Sequence, residues 1–191
     1  RPYRPTAKVP FDHVQAAREE GPTIVQGFHE RYTRRGGHLY AILADICAFA
    51  NTNGGTIYVG ANANPKVPPA GISNPEQAVA KLRAEIENRI IPPLEVSIDV
   101  LQSAGKPVIR IEVPVGADPP YAIDGSKIYV RQETETNLAV RDEIVALVKR
   151  SLKIAEPSPV EEKTRPEAHP TVEPPRTGVE IIALSLIHIS E

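Results

Sequence analysis

Apolar residues recur at three- and four-residue spacing through Leu39, Ile42, Leu43, Ile46, Phe49 and Ala50, which predicts a helix over Leu39–Thr52 with one face buried. Asn51, Asn53, Gly54 and Gly55 close it, because Asn and Gly tolerate the left-handed backbone of a helix end. Thr56–Val59 is β-branched and aromatic and suits a central strand. Upstream, Phe11–Glu20 predicts a short helix capped by Asp12 with Val14 and Ala17 inward, and Thr23–Phe28 a short strand. Downstream, Asn74 caps a helix that has Pro75 at its first position and Gln77 placed for a capping box; Val79, Leu82, Ile86 and Ile90 form its buried stripe.

The period then changes from helical to alternating. Leu94, Val96, Ile98 and Val100 share one face against Glu95, Ser97 and Asp99, and Ile109, Ile111 and Val113 repeat the pattern, with Ser103–Lys106 as the turn. One apolar and one polar face imply an antiparallel or mixed sheet with one side wet. Asp124-Gly125 between Tyr121–Ile123 and Lys127–Arg131 is a strong hairpin signal. A last amphipathic helix spans Ala139–Leu152, with Val140, Ile144, Leu147 and Val148 inward. The pattern predicts an α+β fold: a mixed, largely antiparallel sheet of about five to six strands packed with about three helices.

Composition adds boundaries. The chain has 191 residues, which suits one domain of roughly 100–150 residues plus extra segments. Residues 1–10 read as a flexible arm, 11–154 as the domain, and 155–178, with Pro157, Pro159, Pro166, Pro170, Pro174 and Pro175 among charged residues, as a disordered linker. Residues 179–191 read as the truncated start of a further module or as a sequence artefact, since Leu184–Glu191 resembles translated adapter read-through. The first residue is Arg1 rather than Met, which points to sequence upstream.

With 22 Lys and Arg against 24 Asp and Glu, a net charge of -2 gives no global pull toward nucleic acid, so any polyanion site is a local patch. The single cysteine, Cys47, excludes an internal disulfide and a cysteine zinc cage, and it sits in the apolar helix as a buried thiol. The five histidines have no metal-ligand spacing, and no cofactor or metal is expected. No apolar run reaches the roughly 18–20 residues of a membrane span and no signal peptide is visible, so a cytoplasmic protein is expected.

Two groups of residues are candidates for phosphate contacts. Glu30–Gly37 carries Arg31, Arg34 and Arg35 with Tyr32 and two glycines; guanidinium forks suit phosphate oxygens without reading a base. In a strand, Lys127, Tyr129 and Arg131 point one way, making a cation–aromatic stripe suited to a nucleic-acid backbone. The bland readings are a solvated loop and an exposed strand face. Lys66 is a further candidate. Thr134 and Thr136 suit phosphate contacts or capping of the last helix.

AFANTNGGTIYVG, residues 48–60, resembles the signature of the Schlafen AlbA-type DNA-binding domain, whose members carry an AFANT-GG run before a hydrophobic strand. PKVPPAGI at Pro65–Ile72, IIPP at Ile90–Pro93, and IYVR at Ile128–Arg131 with Thr134 and Thr136 resemble later family segments in the same order, so the resemblance covers roughly Pro22–Leu152. It implies nucleic-acid binding, DNA favoured over RNA, in a setting such as a transcriptional regulator. It also gives Asn51, Asn53, Gly54 and Gly55 a part in shaping the site, with the Asn51 side chain expected to cap the helix end.

Some Schlafen proteins cleave RNA with clustered carboxylates, which would hold a divalent cation beside the scissile phosphate. Here Glu20 matches the first acid, Val25 or Gln26 stands for the second, His29 for a lysine, and Asn62-Ala63-Asn64 for an acidic loop. The expectation is therefore a non-catalytic binding domain. A metal-dependent nuclease is the first alternative, and the second is a protein-interaction or dimerisation module whose arginine turn pairs with acids such as Glu30 and Asp45. A homo-oligomer is left open. No phosphate-binding GxxxxGK[ST] loop, GxGxxG run or GxSxG elbow is present.

Overall fold

A computed structural model describes residues 8–155. The expected linker from 156 onward, the terminal segment 179–191 and most of the arm lie outside the described residues. The order of elements is α1 (His13–Glu20), β1 (Gln26–His29), a 3-10 turn (Arg35–Gly37), α2 (His38–Asn51), β2 (Gly55–Val59), α3 (Pro75–Arg89), β3 (Ile90–Ile91), β4 (Ser97–Ser103), β5 (Lys106–Val113), β6 (Ala122–Ile123), β7 (Lys127–Gln132), β8 (Glu135–Leu138) and α4 (Arg141–Ala155).

The α+β class and the largely antiparallel pairing are as expected, but the strands divide between two sheets. One runs β1-β2-β5-β4 and the other β3-β6-β7-β8. Among the described residues only β1 and β2 pair in parallel, Gln26 opposite Thr56 through His29 opposite Val59. The hairpins are tight because their turn residues accept left-handed backbone: Ala104 and Gly105 between β4 and β5, Asp124 and Gly125 between β6 and β7. The fourth strand of the second sheet, β8, lacks apolar alternation, and so gave no signal in the sequence.

Helix α2 is the centre. Ile42, Leu43, Ile46, Cys47, Phe49 and Ala50 are fully buried, and they share one core with Ile57, Val59, Leu82, Ile86, Ile109, Ile111 and Ile123. The helix is buried on nearly all sides because β2 and β7, from different sheets, both pack on it. Burial pushes the Cys47 thiol up to about 12, so it is a small apolar side chain here and no nucleophile. Asn74 caps α3 as expected, accepting from the Gln77 amide at 3.2 Å.

Two sequence expectations need correction. The outer side of the first sheet is only partly wet: α1 lies over part of it, and Val14 and Ala17 form a second small core with Tyr58, Ala61 and Val108, flanked by Phe28 and Leu101. Asp99, Arg110 and Glu112 on the same face keep 44%, 25% and 53% of their side chains accessible, and Val100, read as inward, is exposed. On α4, Leu147 is buried, but Val148 is exposed at 42%, because only a narrow strip of this helix touches the domain, and Val140, also read as inward, stands just ahead of the helix at 61%. Among the described residues no helix is long and apolar enough to cross a membrane.

Candidate nucleic-acid interface

Parallel pairing of β1 and β2 sends both strands out at the same edge, so the loops that follow them lie side by side. The first carries Arg31, Arg34 and Arg35; the second, Gly60–Ile72, carries Lys66. The Gly60 amide donates to the His29 carbonyl at 2.7 Å, and the Asn62 amide group to the Glu30 carboxylate at 2.8 Å. Gly71–Ser73 and Glu30–Thr33 line one shallow hollow between the two loops.

Arg31 and Arg35 are exposed and their side chains have no hydrogen-bond or ion-pair partner among the described residues, and Lys66 is exposed as well. Arg34 pairs with Glu85 on α3 yet keeps 71% of its side chain accessible. Lys81 Nζ lies 5.5 Å from the Tyr32 ring centroid, adding another cation beside the turn. Gly36, at φ +81°, lets the chain turn directly into α2. Of the acids expected to quench the turn, Glu30 accepts from Asn62 instead, and Asp45 is engaged elsewhere.

The loop bearing Lys66 is held by a residue the sequence did not announce. Arg18 of α1 is 1% exposed; its guanidinium donates to the Asn62 carbonyl at 2.9 Å and to the carbonyls of Asn64 and Val67. A buried cation needs its donors satisfied, and here backbone oxygens do this. Read as a charge on a short surface helix, Arg18 shows no sequence signal of that task.

The β7 stripe is not where the sequence placed it. Lys127, Tyr129 and Arg131 do share one face, but Tyr129 and Arg131 lie against α2. Lys127 alone is exposed. Tyr129 is half-buried and its hydroxyl bonds the Tyr40 hydroxyl at 2.8 Å. Arg131 is 6% exposed: its guanidinium donates to Thr136 Oγ1 at 3.1 Å and to the carbonyls of Thr23 and Gln26 at 3.0 and 3.2 Å, 5.0 Å from the Phe49 ring centroid.

Asp45 of α2 is the counter-charge, 3.8 Å from Arg131 Nη1. One of its oxygens accepts from Thr136 Oγ1 at 2.7 Å, and the other bonds His29 Nε2 at 2.6 Å. Thr136 therefore neither caps α4 nor faces solvent alone; it joins the buried pair. Burial pushes the Arg131 guanidinium below its ordinary value and the Asp45 carboxylate acts in the opposite direction. A cleft of about 490 Å³ opens over this group, lined by Tyr40, Asp45, Tyr129, Arg131, Thr134 and Thr136 among others. Asp45 is the one carboxylate lining it.

Burial, together with the Tyr40 hydrogen bond, pushes the Tyr129 hydroxyl up from 10.0 to about 12. The sign follows from the neutral form being favoured in the fold: its contribution is full below pH 10.0 and is lost as pH rises toward about 12. Tyr129→Phe is expected to remove a late-ionising tyrosine from an ultraviolet pH titration and to reduce the alkaline loss of stability; an unchanged titration would place this hydroxyl in water.

Asn51 does not cap its helix. Its amide group donates to the carbonyls of Tyr121 and Tyr129 at 2.9 Å each, and its oxygen accepts from the Tyr121 N–H at 2.7 Å. The end of α2 is instead closed by backbone, with the Thr52 and Gly54 amides on the Phe49 carbonyl. A Cβ on Gly54 would stand 2.8 Å from the Val113 carbonyl and one on Gly55 2.5 Å from the Val25 carbonyl, so both positions exclude a side chain. Asn53 is exposed. Two more residues join the surface unannounced: Arg89 binds Asp124 through both ends of its fork, at 3.1 and 2.8 Å, and lies 5.7 Å from the Tyr40 ring centroid. That ion pair raises the Arg89 guanidinium and lowers the Asp124 carboxyl.

The family described as Schlafen, AlbA_2 matches residues 25–140, more than half of the chain. The chain belongs to the Schlafen AlbA_2 family. Among solved structures it is similar to the DIP2311 protein of Corynebacterium diphtheriae, at 18% identity and TM-score 0.47 over 63% of this chain and 25% of that one. It is also similar to the N-terminal domain of a RecG-related protein of Nitrosomonas europaea described as an ATP-dependent DNA helicase, at 15% identity and TM-score 0.45 over 55% of this chain and 74% of that one. The chain thus spans a quarter of the first of these structures. No curated protein matches it. The Schlafen AlbA_2 match includes the arginine turn, the Lys66 loop, Asp45 and Arg131, whereas α1 with its Arg18, and α4, fall outside it.

Proposed function

We propose that this Schlafen AlbA_2 domain binds nucleic acid, DNA in preference to RNA, through phosphate contacts and without cutting it. The observation that carries the reading is the side-by-side placement of two loops whose cations, Arg31 and Arg35 on one and Lys66 on the other, are exposed, with neither arginine side chain engaged by another of the described residues. Arg34 and Lys127 extend the basic surface, and Tyr32 offers a ring for a base or sugar. Asn51, Gly54 and Gly55 contribute from the far ends of α2 and β2, by holding in place the two elements that carry the loops. Family membership supports a task connected with nucleic acid and favours DNA.

The non-catalytic reading rests on the residues at hand. Glu20, the first acid of the expected carboxylate set, is exposed at the end of α1 near Tyr58, on the outer side of the first sheet. Asp45 has both oxygens occupied by His29 and Thr136. Among the described residues no three histidine, cysteine or acidic side chains gather as a metal-ligand set.

The test is a titration of labelled duplex DNA and single-stranded RNA, in low and physiological salt with Mn²⁺ present, comparing the full chain with its Arg31→Ala/Arg35→Ala variant. Removing two phosphate contacts is expected to reduce the slope of log K against log salt by about 1.8 for duplex DNA, at about 0.9 per contact. Stability should stay within about 0.5 kcal/mol, both residues being exposed. A variant that binds like the parent, or a parent that binds neither probe in low salt, overturns the reading. A cleaved probe would establish the nuclease.

A further inference from the structure

We infer that the cleft between β1, α2 and β7 holds one unpaired base of a single DNA strand whose phosphates lie on the basic loops. The inference rests on the phosphate reading above and names the form of nucleic acid that this surface takes. The cleft begins where the loops end. Tyr40 stands in the first turn of α2, directly after the arginine turn, and Ala63 belongs to the Lys66 loop; both line it. A strand lying on Arg31, Arg35 and Lys66 therefore passes its mouth. At about 490 Å³ it falls within the roughly 300–1,000 Å³ of pockets that enclose a small ligand.

A glycine leaves the floor open. Gly27 of β1 is buried, and its backbone is outside the left-handed region, so the strand itself does not require glycine. A Cβ there would meet Asp45 Oδ2 at 3.4 Å, Phe49 Cζ at 3.7 Å and Arg131 Nη2 at 4.0 Å, which are ordinary contact distances. What the missing side chain leaves is space in front of Asp45.

The walls choose the occupant. Tyr40 and Tyr129 supply two aromatic rings, 6.1 Å apart between centroids, and aromatic rings take any base by stacking. Their hydroxyls share one hydrogen bond, which leaves one proton to donate. Asp45 uses one lone pair of each oxygen, on His29 and Thr136, which leaves acceptors in the same cleft. Thr134, exposed in the turn after β7, adds a hydroxyl. A donor and acceptors lined by aromatic rings match the pairing edge of a base, which a duplex keeps closed. A phosphate does not fit here: Asp45 is negative, and both ends of the Arg131 fork are engaged by Thr136 and the carbonyls of Thr23 and Gln26.

The experiment titrates the full chain with two labelled single DNA strands of about 12 nucleotides, one intact and one abasic at its central positions, so that phosphate charge is equal. The intact strand is expected to bind about tenfold or more tighter, the gain of stacking one base. Annealing the complement to both probes should abolish or reverse that ratio, since the base opposite the gap is then the unpaired one. Ala41→Leu fills the cleft from α2 with a residue that also favours helix, and should remove the ratio while keeping the salt slope and thermal midpoint of the parent. Gly27→Ala should lower the ratio with stability equal to the parent's or above it. Arg31→Ala/Arg35→Ala should do the opposite, lowering the slope and keeping the ratio. Equal binding of the intact and abasic strands overturns the base pocket and leaves the phosphate reading standing. A ratio that survives both Ala41→Leu and Gly27→Ala, or that persists in the duplex, also overturns it. Failure of both strands to bind in low salt overturns the phosphate reading, and the base pocket with it.

Discussion

Asn51→Ala is expected to destabilise the domain by about 3–5 kcal/mol in urea unfolding. Three buried hydrogen bonds converge on this 2%-exposed side chain, joining the end of α2 to the backbone of Tyr121 and Tyr129. Truncation leaves one amide and two carbonyls without partners in a space closed to water, at about 1–3 kcal/mol for each group that stays unsatisfied. Partial relaxation keeps the total below the sum. Asn51→Asp should be worse than Ala despite its matching shape: one oxygen still accepts from Tyr121, while the other faces two carbonyl oxygens and carries buried charge. Asn53→Ala, on an exposed neighbour, should change stability by less than about 0.5 kcal/mol. An Asn51→Ala midpoint equal to the parent's would mean the second sheet does not depend on this bridge. With typical stabilities of about 5–15 kcal/mol, the expected loss removes a large share of what holds such a domain folded.

Asn51 also marks where reading the sequence succeeds and where it stops. The periodicity of Leu39–Ala50, the cap at Asn74, the alternation before Gly105 and the Asp124-Gly125 turn are local signals, and each became the element it announced. Asn51 stands at a helix end, where a capping amide is the local expectation. Its actual partners are 70 or more residues away, brought there by the hairpin of β6 and β7. Arg18 is the same case: its partners are carbonyls of a loop more than 40 residues on, and no spacing rule links them. Arg31, Arg35 and Lys66 were legible because nothing in the fold claims them, so their exposure follows from polar sequence alone. Their adjacency was not, since it depends on β1 pairing in parallel with β2. On α4 the apolar period was read correctly as amphipathic; which of its apolar residues the domain covers depends on how the helix lies across it.

Arg131 separates these two kinds of residue most sharply, and it carries the second large prediction. Asp45→Asn and Arg131→Met are each expected to cost about 3–5 kcal/mol, because removing one member of a buried pair leaves the other as an uncompensated charge. The losses should not add. Thr136 bonds both members, so Asp45→Leu with Arg131→Met removes both charges together and should cost less than the sum of the single losses by about 1 kcal/mol or more. Apolar replacement of the whole pair can approach neutrality, although His29 would then lack the Asp45 oxygen it bonds at 2.6 Å. Lys127→Ala, on the same strand face but beyond the cover of α2, should leave stability within about 0.5 kcal/mol. Binding separates the roles further. The fraction of Arg131→Met that remains folded should keep the salt slope of the parent, whereas Arg31→Ala/Arg35→Ala lowers it at constant stability. If instead Arg131→Met holds its urea midpoint and loses the slope, the guanidinium faces nucleic acid, and the cleft beside Tyr40 and Tyr129 becomes the phosphate site.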